Sequence, residues 1–233
     1  MARLPRVVAV EVPHHVTQRG NSRRYVLESE SDRLVYLQLL QRHCQMYCLD
    51  LLGYCLMSNH VHLIAVPRKS DSLAAALKYA HGQYAAYFNA RHAVSGHVWQ
   101  GRYYSCPLDL SHLWAALRYT ELNPVRAGLT QEPESYPWSS AAVHCGHYVE
   151  SPLLDMTPWR DTWTSSLWHE YLAAEGARAD ADAIRLNTHT GRPLGAPEFV
   201  DHLEKILQRR LTPCKGGRPS RQRIHSQPET FAL

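Results

Sequence analysis

No stretch of this 233-residue chain is apolar for long enough to cross a membrane as a helix, which takes roughly 18 or more consecutive apolar residues. A basic-then-apolar leader is also missing from the amino end, and we therefore expect a cytoplasmic protein with no membrane partner. Internal repeats are absent. So is the Gly-rich phosphate loop of Walker-type proteins, and nothing in the sequence points to a reaction driven by ATP or GTP.

Paired C-x-x-C spacing is absent from the six cysteines, which argues against a disulfide framework in a cytoplasmic protein. Cys44 and Cys48 are four residues apart and are compatible with part of a zinc site. Buried cysteines that act as small hydrophobic side chains are far more common, however. The remaining cysteines are scattered along the chain: Cys55, Cys106, Cys145 and Cys214.

A strong net charge is lacking as well, because 25 basic and 21 acidic residues leave only +4. The distribution of charge is more informative than the total. Arginines gather near both ends of the chain, at 3–24 and 209–223, with few acidic neighbours. Two basic clusters of this kind suit contact with a nucleic-acid phosphate backbone, although a single arginine is more often part of a solvated surface.

Two histidines one residue apart, His60 and His62, are the most informative feature that is present. Apolar runs flank them, with Ser58 and Asn59 as turn residues, and this pattern predicts a pair of β-strands. Alternate residues of a strand point to the same face, so both imidazoles would project together and could hold one divalent ion. The pair alone is weak evidence, since the chain has 15 histidines.

A second pattern is a segment of helical composition that ends before Pro124. Tyr119 and Asn123 are four residues apart and would share one face of this helix. Tyrosine can act as a covalent nucleophile, but its phenol loses a proton only at about pH 10 and therefore needs a cation or a base nearby. An ion held by His60 and His62, with the Asn123 amide oxygen as a third ligand, would meet that need.

Four motifs in a fixed order make the chain recognisable: YCLMSNHVH at 54–62, GHVWQGR at 96–102, RYTELNPVRAGL at 118–129 and YPWSS at 136–140. Together they closely resemble the REP-associated tyrosine transposases, relatives of the single-tyrosine HUH transposases of small insertion sequences. The resemblance extends from about Pro13 to Ser140, and a looser likeness continues at 190–195.

The resemblance implies an α+β fold with a ferredoxin-like split βαβ core of the HUH type and a mostly helical C-terminal extension. Apolar periodicity favours the same order, β-α-β-β-α-β, with one further helix that carries Tyr119. Asp71 and Ser72 are typical of a helix cap. The predicted strands are 14–19, one on each side of 58–59, and 102–107; the predicted helices are 31–47, 70–90, 111–122, 167–181 and 197–211.

We divide the chain accordingly into three parts. Residues 1–140 are the expected HUH tyrosine transposase catalytic domain, 141–212 a helical accessory region, and 213–233 a basic flexible tail. The accessory region has two helical segments joined by a Gly-rich turn, which is compatible with a small DNA-binding unit.

The resemblance further implies a metal-dependent tyrosine transposase, that is, a single-strand DNA endonuclease and strand transferase. Mg²⁺ or Mn²⁺ held by His60, His62 and Asn123 would polarise the scissile phosphodiester. Tyr119 would attack the phosphorus and form a 5′-phosphotyrosine, so that rejoining needs no nucleotide cofactor. The substrate would be single-stranded or hairpin-flanking DNA of the REP type, and the protein a monomer or a homodimer.

Candidate DNA contacts are basic and aromatic side chains, because arginines hold phosphates and bases stack on aromatic rings. Trp99 is equally compatible with the core, and Glu121 should face away from Tyr119 because of its helical spacing. Gln83 and Gln100 are possible extra polar ligands that the spacing does not require. The DNA-binding candidates are Arg19, Arg23, Arg24, Trp99, Arg102 and Arg218.

Two other functions remain compatible with these residues. One is a DNA-binding regulator that keeps the fold and cleaves nothing, which the intact motif residues disfavour. The other is a metal-dependent phosphoesterase that uses water, with Tyr119 as a bystander. A covalent DNA adduct that depends on Tyr119 would distinguish the transposase from both.

Overall fold

A computed structural model describes residues 6–148, 151–174 and 178–212 of the chain. Within them, antiparallel strands form one four-stranded sheet in the order β2-β3-β1-β4. The strands are β1 His14–Arg19, β2 Leu49–Leu56, β3 His60–Pro67 and β4 Tyr104–Pro107. Strand β3 separates β1 from β2, and β1 separates β3 from β4, so each helical crossover joins two parallel strands that are not neighbours. This is the split βαβ arrangement, and the α+β prediction is confirmed.

Long helices pack on the sheet and shorter helices follow. Up to residue 140 they are α1 Glu30–Met46, α2 Ser72–His92, α3 Leu110–Glu121 and α4 Asn123–Arg126. After residue 140 they are α5 Ala141–His144, α6 Thr157–Arg160, α7 Ser165–Ala173, α8 Arg178–Thr190 and α9 Pro197–Leu207. The start of α2 differs in detail from the expected cap, because Asp71 makes no side-chain cap and Ser72 Oγ accepts from Lys69 N–H at 2.9 Å.

The alternation of side chains along β3 divides the core between the two faces of the sheet. Val61 and Leu63 are fully buried in the cluster that includes residues of α1 and α2. His62 and Ile64 point to the opposite face, where α3 lies. The histidine face of β3 is therefore the face on which helix α3 packs.

Helix α3 approaches strand β2 closely at Gly53. A Cβ atom on Gly53 would lie 2.2 Å from Cδ1 of the fully buried Leu117. The ladder between β2 and β3 also shifts register between Leu51 and Gly53, as in a β-bulge. A glycine here lets α3, which carries Tyr119, lie close against the sheet.

A buried polar network joins α3 to the segment after residue 140. The fully buried Glu121 carboxylate accepts hydrogen bonds from Ser140 Oγ and His144 Nδ1, each at 2.5 Å. It also accepts from Nε1 of the fully buried Trp168 at 2.9 Å. Glu121 therefore faces away from the ring of Tyr119, in agreement with its spacing on the helix.

The prediction of one helix at 167–181 is wrong. Helix α7 ends at Ala173, Ala174 is extended with φ −59° and ψ 149°, and α8 begins at Arg178. Gly176 lies inside the predicted helix, where glycine is unfavourable, and the apolar pattern on both sides concealed the break. Helix α8 runs on to Thr190 and packs against β4 and α3.

Among the described residues, no helix combines the length and the apolar character needed to cross a membrane. The cysteines within the described ranges are free thiols. The boundaries at residues 140 and 212 stay a prediction. The expected tail at 213–233, with Arg218, lies outside the described residues.

Candidate active site

The two histidines of β3 lie side by side beneath helix α3. Their ring centroids are 4.9 Å apart, and the ring of His62 is 5.7 Å from that of Tyr119. His62 and Tyr119 are 6% and 8% exposed, so they meet in a nearly closed environment. The structure thus brings the histidine pair together with Tyr119, which lies more than fifty positions further along the sequence.

One ring nitrogen of each histidine is held by a neighbour, and the other is left for a ligand. His60 Nδ1 lies 2.6 Å from Asn59 Oδ1, and His62 Nδ1 lies 2.9 Å from His15 Nε2. Burial, followed by the charge of Arg19, lowers the pKa of His60 to about 4. Burial, followed by the neighbouring histidines, holds the pKa of His62 well below its usual value. Both imidazoles are therefore neutral at pH 7 and can donate a lone pair.

Asn123 does not continue α3 but opens the short helix α4 after Leu122. Its Nδ2 donates to the backbone carbonyls of Tyr119 at 3.3 Å and Thr120 at 3.2 Å. The amide orientation is thereby fixed, and Oδ1 accepts from Arg126 Nη2 at 2.9 Å. An amide oxygen has two lone pairs, so one remains available. Two neutral imidazoles and one amide oxygen fit a divalent cation with open positions.

Two arginines surround the phenol of Tyr119. The Arg126 guanidinium lies 4.1 Å from the ring centroid and donates to the Tyr119 carbonyl at 2.6 Å. Arg185 of helix α8 donates from Nε to the phenol oxygen at 3.3 Å and is held by Asp182 at 3.1 Å. The two guanidinium groups lie 4.1 and 5.6 Å from the Tyr119 ring centroid, so positive charge faces this side chain from two elements.

A buried hydrogen-bond chain connects the histidine pair to helix α8. His15 of β1 bridges His62 Nδ1 at 2.9 Å and Thr188 Oγ1 at 2.7 Å. His15 and Thr188 are 1% and 2% exposed, and burial lowers the pKa of His15 to about 3. Sequence reasoning missed His15, Thr188 and Arg185. His15 lies in a predicted strand, but the register that pairs it with Ile64, two residues from His62, is visible only in the structure.

With the exception of Arg126, these side chains line one cavity of about 490 Å³. Two of the predicted DNA-binding residues, Arg19 and Arg23, line it as well, together with Gln100. Arg23 and the adjacent Ser22 have positive φ values of 60° and 52°. Such backbone costs about 1–3 kcal/mol per residue outside glycine and is concentrated at functional sites.

The other predicted DNA contacts lie elsewhere. Arg24 stacks on Phe88, with 4.7 Å from its guanidinium to the ring centroid, and Arg102 is exposed beside a much smaller cavity. Trp99 requires a correction: it is 8% exposed and donates from Nε1 to the His81 carbonyl at 2.9 Å. Its ring is packed in an aromatic cluster of the core, where it cannot stack on a base. Gln83 pairs with His43 and does not line the cavity that contains the histidine pair.

A family model described as "Transposase IS200 like" matches residues 9–123. This segment belongs to the IS200-like transposase family. The match begins before strand β1 and ends at Asn123, so it contains the histidine pair and Tyr119 but none of helix α8. The family match confirms the recognition of a tyrosine transposase from the four sequence motifs. The family implies an enzyme of the transposase type.

One solved structure has a similar fold. A REP-associated tyrosine transposase bound to a REP hairpin superimposes with a TM-score of 0.55 at 15% identity, over 66% of this chain and 92% of that chain. A putative transposase from Deinococcus radiodurans covers 56% of this chain and 94% of its own at 17% identity, with a TM-score of 0.35 that is too low to add to the comparison. No curated protein sequence matches the chain significantly.

Proposed function

We propose that this transposase cleaves and rejoins a DNA strand through a covalent bond between Tyr119 and a 5′-phosphate. One observation carries the proposal: the phenol of Tyr119 and the paired imidazoles of His60 and His62 line a single cavity. A phenol next to two neutral imidazoles and an amide oxygen is a nucleophile beside a ligand set. That combination is suited to phosphoryl transfer rather than to DNA binding alone.

The chemistry follows from the groups around Tyr119. The Tyr119 oxygen forms a bond to phosphorus while the bond from phosphorus to the 3′-oxygen breaks, and the phenol proton passes to solvent. Arg185 donates to the phenol oxygen and would orient it for attack, and Arg126 holds the carbonyl and the ring of Tyr119. The leaving 3′-oxygen takes a proton from water. Attack by a 3′-hydroxyl on the phosphotyrosine reverses these steps, so rejoining needs no nucleotide cofactor.

We further propose that His60, His62 and Asn123 hold Mg²⁺ or Mn²⁺. The bound ion would polarise the phosphodiester and stabilise charge on the transferring phosphoryl group. His15 and Thr188 would keep the Nε2 atom of His62 free for the ion, because the proton of His62 is then held on Nδ1 by His15. The mixed nitrogen and oxygen ligands tolerate Mn²⁺ better than Mg²⁺ as a chemical preference.

The proposed substrate is single-stranded or hairpin-flanking DNA. A phosphate must reach the nearly buried Tyr119 in line with its oxygen, which an accessible single strand permits more easily than a duplex. Arg19 and Arg23 at the cavity rim would hold neighbouring phosphates. The solved relative that is bound to a REP hairpin supports a hairpin as the first substrate to test.

The decisive experiment is an adduct assay with a labelled single-stranded REP-type oligonucleotide and Mn²⁺. The wild type should give a protein–DNA adduct that resists denaturant, and Tyr119→Phe should give none. Tyr104→Phe is the matched control, because Tyr104 lines the same cavity. An adduct that survives in Tyr119→Phe and disappears in Tyr104→Phe would assign the nucleophile to the other tyrosine.

The same assay separates the competing functions. DNA cleavage without an adduct, unchanged in Tyr119→Phe, would support a phosphoesterase that uses water. Tight binding with neither adduct nor cleavage would support a DNA-binding regulator. His60→Ala should abolish the adduct and leave DNA binding largely intact, whereas near-normal cleavage in this variant would reject the metal assignment.

The proposals for the remaining parts of the chain rest on the sequence. The 141–212 region is proposed as an accessory region, and the basic residues after Thr212, Arg218 among them, as a non-specific DNA contact. Removing them should weaken DNA binding and reduce its salt dependence. Equal affinities across a salt series would count against the tail. A monomer or a homodimer is compatible with this function.

A further inference from the structure

A cluster of three different metal-ligating side chains lies outside the cavity of Tyr119. Glu134 comes from the 3₁₀ turn Pro133–Ser135, Cys145 directly follows helix α5, and His169 lies on helix α7. One ligand atom from each residue lies within 4.8 Å of the other two. None of the three lines the cavity that contains the paired histidines.

Among the described residues, only one oxygen of the Glu134 carboxylate has a hydrogen-bonding partner. Its side chain is 5% exposed, and Oε1 pairs with His169 Nδ1 at 3.1 Å. The Oε2 atom is buried and has no hydrogen-bond partner among the described residues. A buried carboxylate oxygen without a partner costs free energy, and a cation is the group that would offset this cost most directly.

The thiol of Cys145 faces the same carboxylate. Burial, followed by the negative charges of Glu134 and Glu121, raises the pKa of Cys145 to about 12. Without a cation the thiol keeps its proton. A thiophilic cation reverses this preference, because it supplies the positive charge that both the thiolate and the carboxylate lack.

We propose that Glu134, Cys145 and His169 bind one Zn²⁺ ion, or a divalent ion of similar affinity for sulfur. A thiolate, an imidazole and a carboxylate are the side chains that Zn²⁺ takes in proteins, and a water molecule would complete the tetrahedron. On binding, a metal–sulfur bond forms, the thiol proton passes to solvent, and His169 Nδ1 exchanges its contact with Glu134 for the metal. The Mg²⁺ or Mn²⁺ proposed for the Tyr119 site prefers oxygen ligands and binds a thiolate poorly.

The proposed ion would link helix α7 to residues on both sides of helix α5. The ligands belong to three separate pieces of backbone, and α7 also contributes Trp168 to the network around Glu121. Binding to the folded state alone raises stability by mass action. The site would therefore act as a clamp for the extension and would not depend on DNA cleavage by Tyr119.

Cobalt provides the test, because a bond between cobalt and a thiolate gives a charge-transfer band in the near ultraviolet. Co²⁺ titrated into the metal-free full chain should produce this band, and Zn²⁺ should then displace the cobalt and remove the band. The His60→Ala variant should give the same band, which separates the two sites. Absence of a thiolate band in the wild type would overturn the proposal.

Variants then assign the ligands. Cys145→Ser should remove the band, and His169→Gln, at an exposed position that tolerates substitution, should weaken cobalt affinity at least tenfold. Cys48→Ser is the matched control, since it removes another free thiol of intermediate exposure and should leave the band unchanged. A band that survives in Cys145→Ser, or that disappears in Cys48→Ser, would place the cation elsewhere.

Discussion

Thr188 is the position at which the link between helix α8 and the histidine pair can be cut with the least disturbance. Its hydroxyl lies 2.7 Å from His15 Nδ1 and 3.4 Å from Cys106 Sγ, and the residue is 2% exposed. Thr188→Val keeps the shape of the side chain and removes only its hydrogen-bonding capacity. We expect the variant to bind the metal ion proposed for the Tyr119 site more weakly.

The reason lies in the direction of the hydrogen bonds. For His62 Nε2 to hold a cation, the proton of His62 must be on Nδ1 and be donated to His15 Nε2. His15 must then carry its own proton on Nδ1 and donate it to Thr188 Oγ1. With valine at 188 that proton is buried without an acceptor, so His15 moves it to Nε2. The proton of His62 is then pushed onto the nitrogen that should bind the metal.

The expected magnitude follows from burial. A buried donor without a partner costs about 1–3 kcal/mol. Loss of a hydrogen bond that orients a metal-binding histidine typically lowers metal affinity by about 10–100-fold, which corresponds to about 1.4–2.7 kcal/mol. The two ranges overlap, and we expect Mn²⁺ affinity to fall by about 10–100-fold in Thr188→Val.

Calorimetric titration of the full chain with Mn²⁺ measures this effect without any cleavage. Thr188→Ser should retain most of the affinity because it keeps the hydroxyl. Thr190→Val is the matched control: it lies on the same helix, and its hydroxyl bonds only to backbone carbonyls of α8 within the described residues. Wild-type Mn²⁺ affinity in Thr188→Val would refute the chain from Thr188 through His15 to His62.

Three further outcomes are expected. Burial lowers the pKa of His81 from 6.5 to about 3, so the contribution of the neutral side chain to stability is complete above pH 6.5 and is lost as the pH falls from 6.5 toward 3. Urea unfolding at pH 7 and pH 5 measures the loss in the free energy of unfolding between these two pH values. This loss should be about 2 kcal/mol smaller in His81→Gln than in the wild type, and the exposed-site control His97→Gln should show the wild-type loss. Gly53→Ala should lower the free energy of unfolding by about 1–3 kcal/mol because it crowds Leu117, and it should slow adduct formation. Adding Leu117→Val should restore part of both. Full stability in the single variant would contradict the close approach of helix α3 to strand β2. Arg185→Gln should slow adduct formation by about 10-fold or more at unchanged DNA affinity, and a faster reaction would mean that Arg185 restrains Tyr119 rather than activating it.

Local patterns were sufficient for the elements that carry the proposed metal ligands. The period of β3 puts His60 and His62 on one face, and the structure has this strand where the turn at Ser58 and Asn59 predicted it. The four-residue spacing of Tyr119 and Asn123 still places them together, although the two residues do not share one continuous helix. The helix breaks at Leu122, yet the Asn123 amide folds back on the last turn of α3.

The partners of these ligands could not be predicted in the same way. His15 and Thr188 are separated by 173 positions, and neither has a spacing that relates it to His62. Composition misled the assignment of Trp99, because an aromatic residue next to arginines has the same pattern whether it is packed in the core or exposed to DNA. The burial that decides between them comes from the packing of α1 against α2.

A cut at residue 140 should therefore destroy more than an accessory function. A chain of residues 1–140 loses Thr188 and Arg185, and it also loses Trp168, which covers the buried carboxylate of Glu121. The carboxylate and the apolar face of α3 would then be open to water, so we expect this fragment to unfold cooperatively only at much lower urea concentrations, if at all, and to bind Mn²⁺ poorly. Circular dichroism in urea and Mn²⁺ titration of the fragment test both effects. A fragment with the stability and metal affinity of the full chain would mean that the contacts from α7 and α8 are dispensable, and the site would then end where the family match ends, at Asn123.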